Sequence, residues 1–554
     1  MKSISPYPVL AVALLVATLS SADSSRGQIT QEQWLADAEF AAEQIHRVHP
    51  HIADPEVRAR LSGALENFKN SGRQSREARI AGLMRLVASL RDDSSILYLF
   101  QEAIDFGLLP LLVYDFDDGL VVLDARAPHA DLIGARVTHF EGRSTAEVFE
   151  TLSAYLSAEN RQGARYLFAR YALTPELLHG AGLAAHPDRT ELAFELSDGS
   201  PLTRVIKRDT HDPWKLYDAR NLRRVTAERE SSHFWVEYRS ADDAIVAEIR
   251  RLRDEPEGQT VSDFASRLGQ ILAEHPKARL VLDLRFGGGG SGHSMGPLLE
   301  ALRHSPQGQT PGLIFALIGR RTGGTVLELA SVLRNTTPII FVGESTGDGP
   351  NRVGDNIEIT LPHSGIVLYL TEIEWPTTLR EEVGKALLPT IPVPVRYVDY
   401  QTGQDAALAA ALTTEPDTVR QEPVPEDAWQ AWSGKYAIGE GQILRIFEAG
   451  PTGLKLSIDD PWQLIGRSFF QASSPLVPAG QDALSTYLGD VRVERRQDRL
   501  TLDWRGHRRP MRPVLLSIPE KVAIGGGISG LMTIALVIRW RRRAAGRASR
   551  RGAA

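Results

Sequence analysis

An apolar run, Leu280-Val281-Leu282-Asp283-Leu284, leads through Arg285 and Phe286 into four successive glycines, Gly287, Gly288, Gly289 and Gly290. Glycines at a strand end let neighbouring backbone N–H groups face one point with no Cβ in the way, which is how a cradle for an oxyanion or a phosphate is built. Gly287, Gly289 and Gly292 also satisfy a G-x-G-x-x-G pattern. A dinucleotide site, however, calls for an acid at the end of the next strand, where Arg320 and Arg321 stand, and a phosphate loop calls for Gly-Lys-Ser/Thr, which does not follow. The cradle therefore reads as an oxyanion or binding loop.

Three further segments carry groups that could work beside it. They are Gly319-Arg320-Arg321-Thr322-Gly323-Gly324-Thr325, Val342-Gly343-Glu344-Ser345-Thr346-Gly347, and Leu90-Arg91-Asp92-Asp93-Ser94-Ser95. An attacking hydroxyl needs a base within about 3 Å to take its proton. Thr325 and Ser345 supply hydroxyls, while His293, Glu344 and Asp348 supply acceptors, with Ser291 and Ser294 flanking the histidine. His293 also reads as a surface histidine at a helix cap, and Glu344 equally as a cap of its glycine-rich turn. Asp92 and Asp93 read as a solvated helix end, because adjacent residues point apart on a helix. Trp375 reads as core packing rather than as a cleft wall.

These groups need elements to position them. Trp34, Ala38, Ala41, Ile45 and Val48 recur at helical spacing, as do Ile80, Leu83, Met84 and Val87, so residues 28–105 are expected to form an N-terminal helical region. Residues 106–210 turn to strand patterns separated by Asp117-Asp118-Gly119 and Glu141-Gly142, with helices over 145–156 and 162–179. Leu132-Ile133-Gly134-Ala135 before a strand resembles the carboxylate-binding loop of a PDZ-like domain. Residues 230–415 alternate strand and helix, the mark of an α/β layer: strands over 233–238, 244–249, 279–284, 313–318 and 339–342, helices over 261–274, 297–303 and 326–334, and a hairpin of 357–361 with 365–370 completing the unit. A proline-rich linker over 415–426 precedes short strands with glycine turns, read as a small β-sandwich or barrel over 427–515.

The two ends suggest export. Lys2, an apolar run over 9–19 and Ser20-Ser21-Ala22 read as a signal peptide over residues 1–22. Residues 522–538 are seventeen positions without a charge, followed by Arg539, Arg541, Arg542 and Arg543, so 522–540 is expected to be a transmembrane anchor with its basic tail inside. A processed sorting signal fits the same pattern. The net charge of −6 includes seven arginines in residues 539–554, which leaves the body more acidic still and without an electrostatic reason to bind nucleic acid. The chain has no cysteine, which excludes disulfides, thiolate catalysis and Cys-ligated zinc.

Taken in order, Val281-Leu282-Asp283-Leu284-Arg285 with its glycine loop, Gly319-Arg320-Arg321-Thr322, and Val342-Gly343-Glu344 with Thr346-Gly347 resemble the tail-specific (C-terminal processing) serine peptidase family, including its tricorn-like branch, over roughly residues 30–415. The resemblance implies a crotonase-like α/β peptidase core with an N-terminal helical layer, a PDZ-like β domain and a C-terminal small β domain. It also implies an oxyanion hole built partly from residues 287–290, and no metal or cofactor. The family's nucleophilic serine falls on Gly324, and its histidine on Ser94. The lysine base of the other branch falls near Gly349, and no lysine lies between Lys277 and Lys385. Thr325 is the nearest hydroxyl, one place late, which on a helix start is a rotation of about 100°. Losing one member of a catalytic triad costs on the order of 10⁴ to 10⁶ in rate. The expected protein is thus exported, extracytoplasmic and membrane-anchored by its C-terminal helix, and binds a peptide or unfolded protein segment without cleaving it. Two alternatives stay open: an active serine-type hydrolase with a relocated nucleophile, and a carrier of a small apolar ligand.

Overall fold

The computed structural model describes residues 29–72, 74–209, 232–256, 258–375, 386–415, 429–439, 442–448, 454–459, 473–479, 483–485, 491–496, 499–504 and 507–514. The expected signal peptide and anchor lie outside these residues. No helix among the described residues is long and apolar enough to cross a membrane.

The chain is a mixed α/β protein. Helix α1, Gln31–Val48, starts at a capping box in which Thr30 and Gln33 satisfy each other's backbone N–H, and it buries Trp34, Ala38, Ala41 and Ile45 on one face. Helices α2, Pro55–Asn70, and α3, Arg76–Ala88, begin at the side-chain caps Asp54 and Ser75. An antiparallel sheet follows: β1 Leu111–Phe116, β2 Gly119–Ala125, β3 Arg136–Phe140, β4 Arg143–Ser144, β5 Arg189–Glu195 and β6 Pro201–Lys207. Its order is β1-β2-β3-β5-β6, with β4 paired to β3. Between β4 and β5 the chain forms α4 Thr145–Leu152, α5 Arg161–Tyr171 and α6 Pro175–Gly180. The single helix expected over 162–179 is two, because Pro175 has no N–H to donate and disfavours helical backbone at Thr174 before it. Ile45, Val87, Val122, Phe168 and Leu192 share one apolar cluster, so the helical layer and this sheet bury a common core.

The α/β layer is a six-stranded sheet built from β7 Phe234–Arg239, β8 Ala244–Ile249, β9 Arg279–Asp283, β10 Ile314–Ile318 and β11 Ile340–Gly343, plus a short edge strand, Ile391–Pro392. Strands β8 to β11 run parallel, and β7 is antiparallel to β8. The crossovers carry α7 Val261–Glu274, α8 Gly296–His304 and α9 Gly324–Thr336. Strands β9 and β10 are buried along nearly their whole length, as strands covered on both faces must be.

The hairpin of β12, Arg352–Thr360, and β13, Val367–Trp375, departs from expectation. It is a separate two-stranded sheet rather than an edge of the α/β layer. Ile366, Leu368 and Leu370 are buried in the N-terminal cluster, Ile96 bridges to Tyr369, and the Asp37 carboxylate of α1 accepts from the backbone N–H of His363 and Ser364 at 2.9 and 2.8 Å. Its apolar face is therefore covered by residues some 270 positions away in the chain. Trp375, at its end, is half-buried. Nine antiparallel strands between Gly434 and Pro513 form one further sheet. Its two edge strands, Ser473–Pro475 and Val477–Pro478, are separated in the chain only by Leu476, so this sheet curls back on itself around its own apolar cluster.

Candidate functional site

The carboxyl ends of parallel strands are where an open α/β sheet presents loops to a ligand. Here the loop after β9 holds the four glycines, the loop after β10 runs through Arg320 and Arg321 into α9, and the loop after β11 holds Glu344 to Asp348. Thr322, fully buried, fastens the first two: its hydroxyl donates to the Leu284 carbonyl at 2.8 Å and accepts from the Gly319 N–H at 3.0 Å. The Gly323 N–H donates to the Gly287 carbonyl at 2.8 Å. The third loop is fixed by Thr346, whose hydroxyl donates to the Asp348 carbonyl at 2.7 Å and accepts from the Leu387 N–H at 2.8 Å.

These loops open on a cavity of about 460 Å³ that also takes in Asp93 from the N-terminal region and Tyr166 and Arg170 from α5. Within the glycine loop, the Gly287 and Gly288 N–H groups are used by the Leu284 and Arg250 carbonyls at 3.0 and 2.9 Å. Gly288, Gly289 and Gly290 are exposed, and the N–H groups of Gly289 and Gly290 have no acceptor among the described residues.

The position at the start of α9 has little room. Gly324 has φ +53°, and a Cβ there would stand 2.6 Å from the Gly289 nitrogen and 3.2 Å from its Cα. The glycine loop fills the place a side chain at 324 would need. A Cβ on Gly323 would overlap the carboxylate of Asp348. Thr325 is 2% exposed, and its hydroxyl donates to the Gly290 carbonyl at 3.2 Å. His293 is exposed, on the short helical turn capped by Ser291, with Nδ1 3.4 Å from the Ser291 hydroxyl. Glu344 has 8% of its side chain exposed and is ion-paired to Arg320, which also donates to the Asp115 carbonyl at 2.6 Å. The structure therefore does not bring His293 or Glu344 to the Thr325 hydroxyl by any hydrogen bond, and Ser345 makes no such contact with either.

Ser94 follows Asp93, which lines the cavity. Its hydroxyl donates to Asp93 at 3.0 Å and its N–H to Asp92 at 2.9 Å. Asp93 meets Asp348 side chain to side chain, and Asp348 lies against Gly323, so the segments of Ser94 and Gly324 face the same cavity. The Gly349 N–H donates to Glu159 at 2.6 Å.

Asp92 and Asp93 correct the expectation of a solvated helix end. Asp92 is 4% exposed and takes hydrogen bonds from the Ser94 and Ser95 N–H groups and from His49 Nε2 at 3.0 Å. His49 Nδ1 accepts from the His51 N–H at 3.3 Å, which leaves the proton on Nε2, facing Asp92. Asp93, Glu159 and Asp348 gather three carboxyls from three segments. Burial, then the charge of Asp92, raises Asp93 against the pull of hydrogen bonds from Asp348 and Ser94. Burial, then Asp93, holds Glu159 well above the usual carboxylate range. Burial, then Asp93 and Glu159, does the same for Asp348. This trio was not visible in the sequence, since its members lie 66 and 189 positions apart. Among the described residues no group of three His, Asp or Glu is arranged to hold a metal ion.

No family model matches the chain, and no curated protein does. Among solved structures it is similar to mature CPAF complexed with lactacystin, at 13% identity over 69% of this chain and 97% of that chain, with a TM-score of 0.49. It is also similar to the photosystem II D1 C-terminal processing protease (14%, 66% and 94%, TM-score 0.33) and to the tricorn protease (15%, 69% and 36%, TM-score 0.35). Two of these three are thus proteases by name, one a C-terminal processing protease and the other tricorn. At such identities no residue's role passes from them to this chain, and the chemistry of the cavity rests on its own groups.

Proposed function

We propose that this protein binds an extended peptide or unfolded protein segment in the cavity at the glycine loop and does not hydrolyse it. The observation that carries the reading is the geometry at Gly324, where loop backbone stands within 2.6 Å of any Cβ. Supporting it, Thr325, the nearest hydroxyl, donates to a backbone carbonyl rather than to a basic side chain. The free N–H groups of Gly289 and Gly290 suit the carbonyls of a bound backbone. The apolar-carrier reading is less well served, since five arginines and two aspartates line the cavity. In this proposal the sheet of β1 to β6 is a PDZ-like unit, the α/β layer is crotonase-like, and the body is exported and held at the membrane by residues 522–540.

The test is to incubate the purified protein with a panel of unstructured peptides, following binding by fluorescence anisotropy and cleavage by mass spectrometry. Binding with every peptide left intact is expected. Cleavage that disappears in Thr325→Val would overturn the reading and favour a relocated nucleophile.

A further inference from the structure

The arginines of the cavity are not equivalent. Arg320 is taken by Glu344 and by the Asp115 carbonyl, and Arg250 is ion-paired to Glu248, itself buried. Arg321 and Arg251 have no carboxylate partner among the described residues. The Arg321 guanidinium lies 5.4 Å from the ring centroid of Tyr166 and 5.7 Å from that of Phe286. Two aromatic faces from different segments hold it at the cavity, where a third partner in the plane of the fork is missing. Arg251, from the loop after β8, lines the same cavity and is exposed.

The aspartates of the cavity do not supply that partner. Asp93 and Asp348 meet each other and border Glu159, and two carboxyls in hydrogen-bonding contact hold a proton between them. The cavity therefore presents two guanidinium groups with no carboxylate partner among the described residues, together with an acid pair engaged with itself. Gly288 lines the cavity with the arginines, and the next two residues, Gly289 and Gly290, are exposed with N–H groups that have no acceptor among the described residues, suited to backbone carbonyls, which leaves the guanidinium fork for a side chain. Ile96, Leu97, Tyr98 and Phe286 add apolar surface to the same cavity.

We infer that the cavity selects peptides carrying an acidic side chain, whose carboxylate is received by Arg321 with Arg251 beside it while the neighbouring backbone pairs with the glycine loop. This rests on the peptide-binding reading above and adds its specificity. A planar fork and a carboxylate match two N–H groups to two oxygens, a fit that an amide of the same shape cannot reproduce.

The experiment uses the full-length purified protein and fluorescein-labelled peptides, all C-terminally amidated, that differ only by Glu or Gln at one central position. A matching pair with a free C-terminal carboxylate and no internal acid is run alongside. The expected result is that the Glu peptide binds roughly tenfold tighter than the Gln peptide and that added salt narrows the difference. Arg321→Gln should abolish the preference, read as the ratio of Glu-peptide to Gln-peptide affinity within that variant. Arg321→Lys, which keeps the charge and loses the fork, should retain part of it. A second route, Arg251→Gln, guards against a misfolded Arg321 variant and should reduce the preference without removing it. Equal binding of Glu and Gln peptides, or discrimination confined to the free chain end, overturns this inference and leaves peptide binding standing. If no peptide binds at all, both readings fall.

Discussion

Placing a serine at position 324 is the most direct perturbation of the site. If the site were a working one lacking only its hydroxyl, Gly324→Ser would restore hydrolysis. The structure gives the opposite expectation. With φ +53°, a non-glycine residue at 324 carries a left-handed penalty of about 1–2 kcal/mol. Its Cβ at 2.6 Å from the Gly289 nitrogen forces loop or helix to move, an overpacking cost of about 1–3 kcal/mol. The variant should lose about 2–5 kcal/mol, and at about 2–4 °C per kcal/mol for a domain of 150–250 residues its transition should fall by some 4–20 °C. Gly288 is the control from the same loop: no atom lies within 4 Å of where its Cβ would stand, so Gly288→Ala should unfold within about 2 °C of the parent. The assay pairs thermal unfolding by circular dichroism with peptide cleavage by mass spectrometry. A Gly324→Ser protein as stable as the parent, or one that cleaves peptides, would refute the reasoning.

Three other outcomes follow from buried charges. Asp93, Glu159 and Asp348 are raised in the folded state, so the native protein holds protons there that the unfolded chain has released. Stability from this source is fully present below the ordinary carboxylate range and is lost as pH rises through the raised values, so urea unfolding should show a more stable protein at mildly acid than at alkaline pH. Asp348→Asn should flatten that dependence, and an unchanged slope would count against the trio. Arg320 has 1% of its side chain exposed, and Arg320→Ala strands Glu344, a loss of about 3–5 kcal/mol that Arg320→Ala with Glu344→Gln should partly recover in denaturant unfolding. Asp92→Ala removes the acceptor of His49 and of two backbone N–H groups, and should cost about 1–3 kcal/mol without changing the Glu-over-Gln peptide preference.

How much of this could be read beforehand depended on how local the physics was. Helix α7 runs Val261–Glu274 as its sequence suggested, because Thr260 and Asp263 form a capping box and Phe264, Ala265, Leu268 and Leu272 lie on one face. The strands ending in the glycine loop and at Gly343 were equally plain from their unbroken apolar runs. The placement of β12 and β13 was hidden, since it is decided by Asp37 and Ile96 far upstream. Asp93 read as part of a solvated helix end, Asp348 as an acceptor in the loop after β11, and Glu159 carried no signal; only the tertiary fold takes water away from them together. Pro175 was an overlooked local signal, and it splits a helix that periodicity alone would continue.

The glycine loop borders the cavity and also sets the room available at position 324. The loop folds over position 324 and fills the space a side chain there would occupy, and its Gly289 and Gly290 N–H groups have no acceptor among the described residues. Asp348, of the acid pair, lies against Gly323 and stands where a Cβ at 323 would be. A side chain at 324 and the present packing therefore compete for one volume. Variants that open that volume, such as those removing the Asp348 side chain, should loosen the loop before they confer any activity, a change that hydrogen exchange at Gly289 and Gly290 would register as faster exchange in Asp348→Ala than in the parent.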